Sequence, residues 1–98
     1  MPSKLVTVST AGSDTTLVTV PAYRTFKVKG FVITNRASSN ATVEVYDGPS
    51  ATGEKKLVVI VPAGETVEIS AVKPEFKTSI VVKSDQAPVD VAVEWEVL

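Results

Sequence analysis

Pro88-Val89-Asp90-Val91-Ala92-Val93-Glu94-Trp95-Glu96-Val97-Leu98 places an apolar side chain at every second position. Successive side chains of a strand point to opposite faces, so Val89, Val91, Val93, Trp95 and Val97 share one face. Asp90, Ala92, Glu94 and Glu96 share the other. The spacing predicts a β-strand with one side on a core and one in water. Val67, Ile69 and Ala71, interleaved with Thr66, Glu68 and Ser70, repeat the pattern.

Worked outward from this segment, the rest of the chain reads as more strands separated by turn residues. Strands are expected at about Lys4–Ser9, Thr15–Val20, Thr25–Thr34, Ala41–Tyr46, Lys55–Val61, Glu65–Val72 and Thr78–Ser84, before the C-terminal one. Ala11-Gly12-Ser13-Asp14, the polar run Asn35–Asn40, Asp47-Gly48-Pro49 and Pro62-Ala63-Gly64 supply the turns. No window has helical spacing, and valine makes up about a fifth of the chain, as suits strands. Eight short strands with brief connections predict an all-β fold: a single antiparallel β-sandwich over residues 1–98, jelly-roll-like, with an immunoglobulin-like sandwich as the alternative. The missing cysteine pair and the late position of Trp95 favour the jelly roll.

Composition narrows the function. A chain of 98 residues builds one core. Its net charge of -1 argues against nucleic-acid binding, which needs an excess of Lys and Arg on one face. Arg24, Lys27 and Lys29, and the pair Lys55 and Lys56, read as solvated strand faces. No apolar run reaches membrane-spanning length, the longest being Leu57–Val61, and no signal peptide is expected at the start. Asn40-Ala41-Thr42 matches a glycosylation acceptor by chance.

Histidine and cysteine are both absent, which removes the commonest catalytic and metal-binding side chains. A serine nucleophile would then need a lysine base. Gly48-Pro49-Ser50-Ala51-Thr52-Gly53-Glu54-Lys55 resembles a phosphate-binding loop in its glycine spacing. Glu54 stands where the lysine belongs, however, and the segment joins two strands instead of opening a helix, so a hairpin loop is expected. Asp90, Glu94 and Glu96 form a row along a strand rather than a converging calcium cage or a glycosidase pair. They are expected to be solvated, matched to Lys27, Lys29 or Lys83 on a neighbouring strand. The expectation is therefore no enzyme, no cofactor and no metal. Tyr23 and Phe76, near strand ends, could make a sugar-stacking platform.

Three segments are apolar on both faces: Phe31-Val32-Ile33, Leu57-Val58-Val59-Ile60-Val61 and Ile80-Val81-Val82. A sandwich strand normally turns one face to solvent, so three such strands in a small domain predict a subunit contact. The candidate interface residues are Val58, Ile60, Phe31, Ile33 and Val81. In the fifth strand, the turn at Pro62 sets Val61 beside Val67, making Leu57, Val59 and Val61 the inner set and Val58 and Ile60 the outer. Few labile amides, one Met and short loops add the expectation of a melting temperature above about 80 °C, checked by calorimetry.

Phe26–Asn35, Ala41–Gly48 and Val61–Ile69 together resemble small β-sandwich proteins of tailed bacteriophages and related viruses. In these a strand ending Ile-x-Asn precedes a polar loop, an alternating strand and a Pro-Ala-Gly-Glu-Thr turn. The resemblance covers the middle half of the chain and carries no catalytic residues. It implies a virion structural protein, a capsid decoration, minor capsid or tail component, that self-associates as a trimer or ring and is assembled in the host cytoplasm. The alternative is a carbohydrate-binding or adhesive module, cytoplasmic or at the cell surface.

Overall fold

The computed structural model describes residues 2–98. It contains nine strands: β1 Ser3–Val8, β2 Asp14–Thr19, β3 Phe26–Asn35, β4 Ala41–Asp47, β5 Glu54–Val61, β6 Thr66–Ile69, β7 Glu75–Phe76, β8 Ser79–Ser84 and β9 Val89–Val97. β1-β9-β3-β6 form the first sheet, with β7 also on β3, and β2-β8-β4-β5 form the second. All pairings are antiparallel and nested: β4 with β5, β3 with β6 and β7, β2 with β8, and β1 with β9. The chain is thus one long hairpin rolled up on itself, closed by the pairs β3–β9 and β4–β8. That strand order makes the sandwich a jelly roll, the preferred of the two sandwiches that the strand pattern fits.

The core lies between the sheets. Val89, Val91, Val93 and Trp95 of β9 face Val43, Val45, Ile80 and Val82 of the second sheet within one apolar cluster. Trp95 stacks on Phe26 with ring centroids 5.5 Å apart. Val67 and Ile69 pack against this cluster but stay half-buried, because β6 is an edge strand. The expected sixth strand is cut short. β3 bulges at Lys29, between the pairs Val28–Trp95 and Gly30–Glu94, and its edge partner breaks there into β6 and the two-residue β7.

Two further bulges alter which way side chains point. In β2, Leu17 is the extra residue and enters the core. In β5, Lys56 is the extra residue, since Val45 faces Leu57 while Tyr46 faces Lys55. Strict alternation puts Lys55 on the Leu57 side; the bulge carries it to the outer face instead.

One end of the roll is fastened by a buried side chain. Asn35, expected in a solvent-facing loop, ends β3 and is fully buried. Its Nδ2 donates to the carbonyls of Ser39 (2.8 Å) and Val61 (3.0 Å), and its Oδ1 accepts from the Ala37 amide (2.9 Å). Its backbone exchanges bonds with the following turn, Asn35 N to Glu65 O and Gly64 N to Asn35 O, both 2.9 Å. The Ile-x-Asn and Pro-Ala-Gly-Glu-Thr segments are therefore two halves of one interlock. Gly64 has φ of 75°, the left-handed conformation that glycine adopts without steric cost, and the Glu65 amide closes the turn onto Pro62 O.

Candidate interaction surface

The second sheet's outer face is where the sequence places a contact. Val58 and Ile60 lie on β5, the edge of that sheet, opposite Glu44 and Thr42 of β4. They are 50% and 64% exposed, while Leu57 and Val59 pack against the core and Val61 is fully buried. The inner and outer sets of β5 are as the Pro62 turn predicts. Next to the apolar pair, Lys55 Nζ sits 2.6 Å from Glu44 Oε2 and 5.7 Å from the centre of the Tyr46 ring. This bonded ammonium holds the Glu44 carboxyl below its usual range.

The other three candidates are not at the surface. Phe31 and Ile33 are fully buried in the core, and of that apolar triplet only Val32 faces out, 40% exposed. Val81 is also fully buried, but on the outer side of the second sheet, where it lies opposite Tyr46 and Thr16. The β4–β5 loop hides it. The Ala51 amide donates to Asp14 Oδ2 (3.0 Å) at the start of β2, so the loop must cross β8 to get there. Loop cover, not a subunit, accounts for the second apolar face of β8.

That same loop is the segment that resembles a phosphate site, and it is a hairpin connection. Its glycines serve close packing: a Cβ at Gly48 would lie 2.7 Å from the Gly53 Cα, and one at Gly53 would collide with the Asp47 backbone. Asp47 turns away from the loop and accepts three amides, from Lys77 (3.0 Å), Thr78 (2.8 Å) and Ser79 (3.3 Å), which fixes the entry to β8.

Two members of the acidic row of β9, Asp90 and Glu96, are engaged with neighbouring cations. Asp90 takes a forked pair of bonds from Arg36 Nε (2.7 Å) and Nη2 (3.1 Å) and a third from Thr7 Oγ1 (2.7 Å). These donors lower its pKa. Glu96 lies 3.0 Å from Lys29 Nζ and is likewise lowered. The expectation of a match to Lys29 holds; Arg36, in a loop, is the partner that strand spacing could not show. Among the described residues, no three His, Cys, Asp or Glu side chains converge as a metal site would.

The two-ring sugar platform is not there. Phe76 is fully buried and Tyr23 stands fully exposed, so no pair of rings faces solvent. Tyr23 has φ of 65° in a turn that closes from Arg24 N to Pro21 O (3.1 Å). A serine–lysine spacing that sequence reasoning overlooked, Ser70-Ala71-Val72-Lys73, lies in the exposed loop after β6. Such a pair meets across one turn of a helix, and this loop has none.

The outer face of the first sheet carries a second, milder apolar feature. Leu5, Ala92 and Val32 stand directly opposite one another across β1, β9 and β3. Beside them, over Gly30, is an open hollow of about 330 Å³ edged by Glu68, Glu94 and Lys29.

No protein-family model matches the chain, and no curated protein matches it in sequence. Solved structures share its fold, and two of them are as follows. One is described as "Crystal structure of PirA", with a TM-score of 0.61 and 18% identity over 96% of this chain and 93% of that one. The other is described as "The crystal structure of Drosophila NLP-core provides insight into pentamer formation and histone binding", with a TM-score of 0.54 and 20% identity over 98% of this chain and 99% of that one. At these identities the likeness is one of architecture: the chain is a jelly-roll sandwich similar to PirA and to the Drosophila NLP core.

Proposed function

We propose that the chain is a non-enzymatic structural subunit that self-associates through β5 and joins a larger protein assembly. The observation that carries this reading is the exposure of Val58 and Ile60 side by side on an edge strand, where soluble monomers place charge. The architecture suits the role, since the similar Drosophila NLP core is described in terms of pentamer formation and histone binding. The finer reading, a virion component assembled in the host cytoplasm as capsid decoration, minor capsid or tail protein, is supported by the resemblance of Phe26–Asn35, Ala41–Gly48 and Val61–Ile69 to small phage sandwiches. Capsid or tail genes beside its own gene would strengthen it.

Val58→Lys tests the contact. Val58 lies opposite Glu44, so the new ammonium can stay hydrated or pair with that carboxylate in the isolated domain. In the contact it would replace an apolar side chain that meets apolar side chains of the other copy. Light scattering should show the native chain as an oligomer and the variant as a monomer, with unchanged circular dichroism. An unchanged oligomeric mass would remove β5 from the interface.

A further inference from the structure

Self-association through β5 leaves open how two copies meet, and the edge strands narrow the choice. Five strands lie at sheet edges, and β1, β2, β6 and the two-residue β7 are poor templates for pairing. β6 has four residues, β2 is bulged at Leu17, and β1 shows one exposed apolar side chain, Leu5, between Ser3 and Thr7. β5 has eight residues, pairs with no strand other than β4 (its Val61 carbonyl also accepts from Asn35 Nδ2), and past its bulge runs Leu57-Val58-Val59-Ile60-Val61 without a charge or a proline. Its free backbone amides and carbonyls are an open ladder.

We infer that two copies of this chain pair β5 against β5, antiparallel, about a two-fold axis at Val59, joining the two second sheets into one continuous sheet. This rests on the self-association proposed above and specifies its geometry. A two-fold axis at Val59 sets Val58 opposite Ile60 of the other copy on the outer face, and Leu57 opposite Val61 on the inner face. All five apolar residues then meet apolar residues. An axis at Val58 instead sets Lys56 against Ile60, and one at Ile60 sets Val58 against Pro62, which has no amide to donate. The same register brings the lysine pair Lys55 and Lys56 of each copy, bonded within its own chain to Glu44 and Glu54, beside the Pro62–Glu65 turn of the other. Glu65 there is exposed and makes no ion pair among the described residues. The lysines of the two copies, at opposite ends of the paired strands, are kept apart. The contact is isologous and closed, so it caps the edge instead of propagating a fibre.

The absence of cysteine makes this testable residue by residue. Directly opposed residues have Cα atoms about 4.5–5.5 Å apart, within disulfide reach. Residues offset by two positions along the strand lie about 8 Å apart between Cα atoms, beyond it. Val58→Cys and Ile60→Cys, both at exposed positions, are mixed and oxidised mildly. The expected product is a Val58–Ile60 mixed disulfide dimer, with each variant alone remaining uncrosslinked, and Val59→Cys alone forming a homodimer. If the native chain is oligomeric by light scattering but the mixture does not crosslink, or each variant alone crosslinks equally well, this pairing is wrong while self-association stands. A native monomer overturns both.

Discussion

β9 and β5 have nearly the same length and each gives one face to the same core, yet their outer faces differ in kind. β9 is central, flanked by β1 and β3, and turns out Asp90, Ala92, Glu94 and Glu96, two of them bonded to Arg36 and Lys29. β5 is an edge strand and turns out Val58 and Ile60. Folding alone rewards the reverse arrangement, because a central strand has no free ladder to protect and an edge strand does. The β9 pattern is what the fold requires of a half-solvated strand. The β5 pattern asks for something beyond the fold, and the second copy proposed above would supply it.

The comparison breaks most visibly at its buried side. Trp95→Ala should cost about 3–5 kcal/mol in denaturant melts, as large aromatic truncations do, because Phe26 loses its stacking partner. Val58→Ala should shift the stability of the isolated domain by no more than about 0.5 kcal/mol, as surface changes do. Equal losses would mean that Val58 is core and that the two strands do not differ.

Asn35→Ala should come next, at about 2–4 kcal/mol, since it leaves the buried Val61 carbonyl and two further loop groups without their partner. It should also loosen the end of β5, read as faster amide exchange at Val61 than at Trp95. Exchange rising equally at both would show that the interlock holds the whole fold and not that end of the roll.

A smaller effect concerns acid. Asp90, Glu96 and Glu44 all have lowered pKa values, chiefly through hydrogen bonds from Arg36, Lys29 and Lys55 respectively. A group whose folded pKa is depressed stabilises the fold above its unfolded pKa and loses that contribution as pH falls through the folded value. Thermal midpoints should therefore be flat near neutrality and decline below the ordinary carboxylate value of about 4. Asp90→Asn should flatten the decline, and a midpoint that rises on acidification would contradict the pairing. Smallest of all, Tyr23→Gly should raise stability by up to about 1 kcal/mol by relieving a left-handed tyrosine, with no change in oligomeric mass. A loss on that substitution would mean that the ring packs on something in the assembled protein.

Alternation alone gives β9 its faces, buries Val91, Val93 and Trp95, and separates Leu57, Val59 and Val61 from Val58 and Ile60. It fails where one residue is inserted. The bulges at Leu17, Lys29 and Lys56 each flip the side-chain parity, and only the one at Lys29 has a local marker, Gly30 beside it. It also fails where long-range cover intervenes. Val81 reads as surplus apolar surface because the loop that crosses it begins more than thirty residues earlier, at Gly48. Phe31 and Ile33 were legible as one face of β3; only the claim that this face looks outward was mistaken, since Val32 holds that position. Asn35 looked like a loop residue because polarity in a sequence says nothing of three waiting hydrogen-bond partners.

The central claim is that β5 meets another copy of the chain, and sedimentation equilibrium on the unmodified protein across a dilution series tests it most directly. The account predicts a mass of at least twice the chain's 10.4 kDa at micromolar concentration, falling toward the monomer on dilution and collapsing to it in Val58→Lys. A native mass fixed at 10.4 kDa at every concentration would contradict it.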